Sequence, residues 1–169
     1  MEMHGGKRVI RVSPADRWIL SADIGQSQDP AALALMHHVR TPLDAFDTNT
    51  IANCYRQKAS ERYDVLALGR IKLGTKYTDQ VNIVKTRLIW LHEKGIRPTF
   101  CLDFTGCGRP VGDMFDAVGL SPTKILITAG NTATQHEGTS AHDYLVLACA
   151  QAVSLANNMP YVHSEPLRI

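Results

Sequence analysis

The chain contains cysteines but no pair of them spaced for chemistry. The four, at positions 54, 101, 107 and 149, include no CxxC. Cys101 and Cys107 also lack the histidine spacing that a zinc site needs. They read as reduced, mostly buried thiols. No apolar run approaches the roughly 18 residues of a membrane span. The opening MEMHGGKRVIRV lacks the apolar stretch and small-residue cleavage site of a signal peptide. Internal repeats and low-complexity tracts are missing too. Neither sign of charge dominates: 18 Lys and Arg against 16 Asp and Glu leave a net +2. A nucleic-acid surface must then be a local patch and not the whole molecule.

What remains is ordinary globular material. At 169 residues the chain is close to one domain on a prior of about 150 residues per domain. Its 44% hydrophobic and 20% charged content argues against long-range disorder. A chain this long buries about 68–70% of its unfolded surface and needs no metal or disulfide to hold together. A single domain over 1–169 is expected, with 1–16 as an N-terminal extension and 157–169 as a C-terminal tail.

Strands and helices alternate along it. RWILSADI (17–24) is an apolar run that ends in an acid and Gly25, which reads as a buried strand. AALALMHHV (31–39) follows a short polar turn, and a β-hairpin suits that spacing, although Pro30 would also open a helix. Residues 40–62 are polar and weakly patterned and read as a long connection. Residues 63–73 alternate from Gly69 onward and read as a third strand. A helix is expected over 79–94, with Thr78 as cap, Val81, Val84, Leu88 and Leu91 as its buried stripe, and Lys94-Gly95 as its stop. PTFCLDF (98–104) is a strand ending in an acid, TGCGRP a turn, and a second helix starts at Pro110, with Val111, Met114, Phe115 and Val118 inward. TKILIT (123–128) is a fifth strand, and a last helix spans 141–156. The order β-β-β-α-β-α-β-α implies an α/β fold with a mixed five-stranded sheet flanked by helices.

Two aspartates stand out. Asp23 and Asp103 each close an apolar strand, and each has a glycine within three residues, Gly25 and Gly106. One strand-end Asp is most often a turn or cap residue. Two at neighbouring strand ends repel unless a cation lies between them or one stays protonated. Oxygen donors of this kind suit Mg²⁺ or Mn²⁺. A third acid would allow two ions about 3.5–4 Å apart, an arrangement that serves in-line attack on phosphodiesters.

SADIGQSQDPAALALM resembles the opening of the C-terminal nuclease domain of phage terminase large subunits. RIKLGTKYTDQVNIV, CLDFTGCGRPVGDMFDAVGL and ILITAGN resemble later segments of that family, in order, so that the likeness spans about 17–160. The resemblance implies an RNase H-like fold and a metal-dependent endonuclease that cuts double-stranded DNA during genome packaging. It implies Asp23 and Asp103 as catalytic metal ligands for Mg²⁺ or Mn²⁺. Asp143, in AHDYLVLACA, is the natural third ligand. In a second register, residues 141–157 match an earlier helix of the family and the third acid falls outside this chain. The family's ATPase motor is missing, since no GxxxxGK followed by Ser or Thr occurs. The implied partners are DNA and the terminase ATPase domain, small subunit or portal protein, in the cytoplasm of a bacterial host.

Around the acids, Gly25 and Gln26 would line the cleft, and Thr105, Gly106 and Arg109 would meet a DNA phosphate from the turn before the second helix. Asp29 reads as a turn residue before Pro30, and His37-His38 as a strand end at the surface. Lys72, Lys76, Lys85 and Arg87 read as ordinary solvated charges, His142 as a surface or cap residue, and Trp18 and Trp90 as core. Two other functions fit parts of the pattern. One is a module that binds DNA or docks in a packaging complex without cutting. The other is an actin-like ATPase opened by Asp-Ile-Gly, for which the chain lacks a second domain.

Overall fold

The computed structural model describes residues 2–25 and 30–125. In chain order these form β1 (Met3–His4), β2 (Lys7–Ile10), β3 (Ala15–Asp23), β4 (Ala32–Asn49), β5 (Cys54–Arg70), α1 (Tyr77–Glu93), β6 (Thr99–Asp103), α2 (Phe104–Ala117) and β7 (Thr123–Ile125). The fold is mixed α/β. Its sheet has seven strands among the described residues, in the order β1-β2-β5-β4-β3-β6-β7, where five were expected. The two additional strands come from the segment expected to be an extension. Met3–His4 pairs antiparallel with Lys7–Ile10, and Arg8, Val9 and Ile10 pair parallel with Cys54, Tyr55 and Arg56. The last helix expected, 141–156, lies outside the described residues.

β3 is the spine of the sheet. It runs antiparallel to β4 along its whole length, from Ala15↔Arg40 to Asp23↔Ala32, and parallel to β6 from Ile19↔Thr99 to Ala22↔Leu102. A strand flanked on both sides and covered on both faces needs apolar or small residues throughout. Residues 19–23 of β3 are accordingly all buried.

The side chains of β3 sort by alternation into two clusters. Leu20 and Ala22 join Leu33, Phe100 and Leu102 under the helices, packed against Val81, Val84, Leu88 and Leu91 of α1 and Val111 and Phe115 of α2. Ile19, Met36 and Cys101 form a second cluster, with Tyr63 and Ile125 packed against it. Both described helices therefore cover one face of the sheet, and the α1 stripe is the one expected.

The starts of the helices differ from expectation. α1 begins at Tyr77, and its N-cap is Lys76 with no side-chain cap bond, so Thr78 lies inside the helix. Its end does follow the glycine rule: Gly95 has φ 77, and Ile96 N–H donates to the Leu91 carbonyl at 2.9 Å. α2 begins at Phe104, directly after Asp103, with Pro110 inside it. Proline's fixed φ is helical, so a helix can run through it at the loss of one backbone hydrogen bond. Pro110 thus does not mark a start.

The largest departure is residues 40–62. They form the outer halves of a hairpin whose arms, β4 and β5, have 18 and 17 residues, or about 60 Å at strand rise. Pairing continues out to Asn49↔Cys54, with register shifts between Leu35 and Met36 and between Pro42 and Phe46. The tip turns at Asn53, which has φ 46, and Asn49 Oδ1 accepts from Ala52 N–H at 2.9 Å. Beyond Arg40 the hairpin is largely exposed, so the apolar alternation that marks a half-buried strand is missing.

At the root of the hairpin sits a polar network. His38, which is fully buried and mid-strand, not at a surface end as expected, stacks on Tyr63 with centroids 4.7 Å apart. Arg17 Nε donates to its Nδ1 at 3.0 Å. The ring proton must then sit on Nε2, which donates to Glu61 at 2.5 Å. Arg40 Nε donates to the other Glu61 oxygen, also at 2.5 Å. Beside this network, Trp18 is half-buried on His37 at 4.5 Å. Trp90, expected in the core, is 49% exposed.

Two outcomes follow from this packing. Phe115 is fully buried between the helices and the sheet, so Phe115→Ala should cost about 3–5 kcal/mol in urea unfolding. For Glu61, burial acts to raise the carboxyl, but hydrogen bonds from His38 and Arg40 outweigh it and hold it below the ordinary 4.5. The carboxylate therefore contributes its full stability above that value and loses it as pH falls through the lowered one. Urea midpoints measured from about pH 7 to about pH 3 should show this acid limb, and Glu61→Gln should flatten it.

Candidate functional site

Asp23 and Asp103 are the last residues of β3 and β6. The last register pair of these parallel strands is Ala22↔Leu102, so the aspartates stand one step further on, side by side. Neighbouring strands lie about 4.8 Å apart, and residues opposite in register share a face. That shared face is visible two residues earlier, where Ser21 pairs with Cys101. Burial pushes the Cys101 thiol up to about 11 against a hydrogen bond with Ser21 that draws it down. The aspartates continue the same row. Asp23 is 9% exposed and Asp103 5%.

Two like charges side by side repel each other, and a cation between them relieves that repulsion. Their donor chemistry fits Mg²⁺ or Mn²⁺, hard ions that take one or two carboxylates and complete their shell with water and substrate oxygens. Among the described residues no group of three or more His, Cys, Asp or Glu is gathered in metal-binding geometry. Asp143, the candidate third ligand, lies outside the described residues, as do Gln26, Asp29 and His142.

Gly25 is described and buried two positions after Asp23. Thr105, Gly106 and Arg109 are placed differently from expectation. They belong to α2, Thr105 and Gly106 in its first turn and Arg109 at its sixth residue, where it is exposed. The cause is that the helix starts at the strand end itself. Asp103 then immediately precedes an N-terminus whose first backbone N–H groups lack intrahelical partners and carry positive partial charge.

A residue that sequence reasoning passed over lies next to the site. Gln80, in the first turn of α1, is 3% exposed. Its Nε2 donates to the Thr75 carbonyl at 2.8 Å and reaches the Gly25 carbonyl at 3.4 Å. The signal was available, since Gln80 occupies the helical stripe continued by Val84, Leu88 and Leu91, where an apolar residue is the rule.

Behind Asp103 the packing is tight. A Cβ on Gly112 would lie 2.6 Å from Phe104 Cε2 and 3.3 Å from Lys124 Cε. Lys124 Nζ in turn lies 5.4 Å from the Phe104 ring centroid and pairs with Asp116 at 3.0 Å.

No family model matches the chain, and no curated protein or solved structure does either. The geometry of Asp23 and Asp103 is thus what a functional reading has to stand on.

Glycine to alanine inside a helix ordinarily stabilises by about 0.8–1 kcal/mol. At Gly112 overpacking against Phe104, costing about 1–3 kcal/mol, should outweigh that gain. Gly112→Ala should lower the urea midpoint, whereas an unchanged or raised midpoint would show that the Phe104 ring gives way at Gly112.

Proposed function

We propose that the chain is a divalent-metal-dependent endonuclease domain of the terminase type, with an RNase H-like fold, cutting double-stranded DNA during phage genome packaging. The observation that carries this reading is that Asp23 and Asp103 each stand one step past the last register pair, Ala22↔Leu102, at the ends of two parallel strands. The strand order supports the fold. β3, β4 and β5 form an antiparallel meander, and β6 and β7 add to it in parallel on the β3 side. The family-like segments supply the substrate and the biological setting.

In this reading Asp23 and Asp103 hold Mg²⁺ or Mn²⁺, with Asp143 as the third carboxylate. When bound, such ions lower the pKa of a water, orient the scissile phosphate and stabilise a departing 3′ oxygen. The chain's own groups do the positioning. Gly25, buried two residues beyond Asp23, lets the chain turn sharply away from the strand end that carries the carboxylate. The backbone N–H groups of Thr105 and Gly106, at the start of α2, face an anion favourably. Arg109 contributes positive charge from the following turn. Packaging partners such as the ATPase motor, the small subunit or the portal would supply force and docking. No described helix is long and apolar enough to cross a membrane.

A second reading has one observation in its favour: only two carboxylates meet among the described residues. A domain of this fold could grip DNA or dock in a packaging complex without cutting. One experiment separates the two. With Mn²⁺ the full chain should nick and linearise supercoiled plasmid, and Asp23→Asn and Asp103→Asn should each reduce that rate by about 10²–10³-fold, the scale for losing one electrostatic stabiliser. Equal rates for wild type and Asp23→Asn remove this site as the source of cleavage. Salt-sensitive gel shifts without nicking identify the binding module.

A further inference from the structure

We infer that Gln80 is the positioning residue of the carboxylate pair: its side-chain amide holds the chain at Gly25, two residues beyond Asp23, against α1. The inference rests on reading Asp23 and Asp103 as metal ligands and adds a residue from a third element.

Asp23 is where the β3 ladder stops. Past it, regular pairing no longer dictates where the backbone goes. Ile24 is held by packing, at 3% exposure within the core under the helices. Ala31, on the return, is held by its carbonyl accepting from Ile71 N–H at 2.8 Å. Gly25 has no side chain with which to pack. The described contact at its carbonyl is Gln80 Nε2, at 3.4 Å. The same nitrogen donates to Thr75 at 2.8 Å, so one amide links the loop leaving β3 to the loop entering α1.

This arrangement is not what stability alone would select. Gln80 Oε1 is buried and has no hydrogen-bond partner among the described residues. A buried unsatisfied acceptor costs about 1–3 kcal/mol. A leucine at this position would extend the apolar stripe of Val84, Leu88 and Leu91 and avoid that cost. Metal ligands must be held to within about 0.5 Å, and groups that orient them typically contribute 10–100-fold in metal affinity. Retaining an amide here is accounted for if its task is to fix the strand end that carries Asp23. The competing account is that Gln80 only ties down the Thr75 loop, in which case its loss lowers stability and leaves metal binding alone.

Calorimetric titration of the full chain with Mn²⁺, beside thermal melting in EDTA, separates these accounts. Wild type should bind Mn²⁺ and Asp23→Asn should not. Gln80→Leu, which keeps the bulk and removes the orphaned acceptor, should bind Mn²⁺ about tenfold more weakly while melting in EDTA at an equal or higher temperature. Gln80→Asn keeps the amide but is one methylene too short to reach both carbonyls, so it should show the same weakening, and it decides the matter should Gln80→Leu fail to fold. Wild-type Mn²⁺ affinity in these variants overturns the positioning role and leaves the ligand reading intact. A loss of affinity that only tracks a loss of melting temperature overturns it as well, in favour of the loop tie. If wild type and Asp23→Asn bind Mn²⁺ alike, the ligand reading itself is lost and the inference with it.

Discussion

The parallel pairing of β3 with β6 is the constraint on which the rest of the structure depends. Its register sets Ser21 beside Cys101 and, one row on, Asp23 beside Asp103. A slip of one residue would send one of the two carboxylates to the other face, under the helices. That slip is opposed by the apolar rows in between. Leu20, Ala22, Phe100 and Leu102 belong to the cluster beneath α1 and α2, and Ile19 and Cys101 to the cluster on the opposite face. The hydrophobic effect thus secures the polar geometry, because each strand has only one register that buries both apolar rows.

The sheet divides its labour along its length. At the end where β3 and β6 stop, the face carries two acids. At the other end of β3 the same face carries Arg17, which with His38, Arg40 and Glu61 forms a hydrogen-bonded set at the root of the long hairpin, with Tyr63 stacked on His38. Six residues of strand, or about 20 Å, separate Asp23 from Arg17. In the second set each Glu61 oxygen accepts from a buried or half-buried donor. It holds together a stretch of sheet where the apolar contribution fades towards the exposed ribbon.

Much of the candidate site could be read from sequence because its signals are local. An apolar run that ends in Asp, with glycine within three residues, is visible at Asp23 and again at Asp103. The buried stripe of α1 was visible for the same reason, since Val81, Val84, Leu88 and Leu91 repeat at helical spacing. What could not be read were features whose cause is remote. The outer hairpin is largely exposed, with Cys54 and Gln57 as its buried residues, so it shows no apolar alternation, and cross-strand partners such as Lys58 with Asp47 lie along it. The strands near the N-terminus exist because β5 offers an edge at Cys54–Arg56. Gln80 was passed over because a glutamine in a helix reads as surface until its burial is known.

The order of elements from β3 to β7, the stripe of α1 and the two acids at strand ends belong to the sequence by itself, because short-range periodicity and chain reversal encode them. Tertiary structure alone decided that the acids meet in one row, that α2 begins at Asp103 with no turn between, and that an amide from α1 reaches Gly25. Each of these depends on which strands lie side by side, a choice made by burial summed over the whole sheet and carried by no single segment.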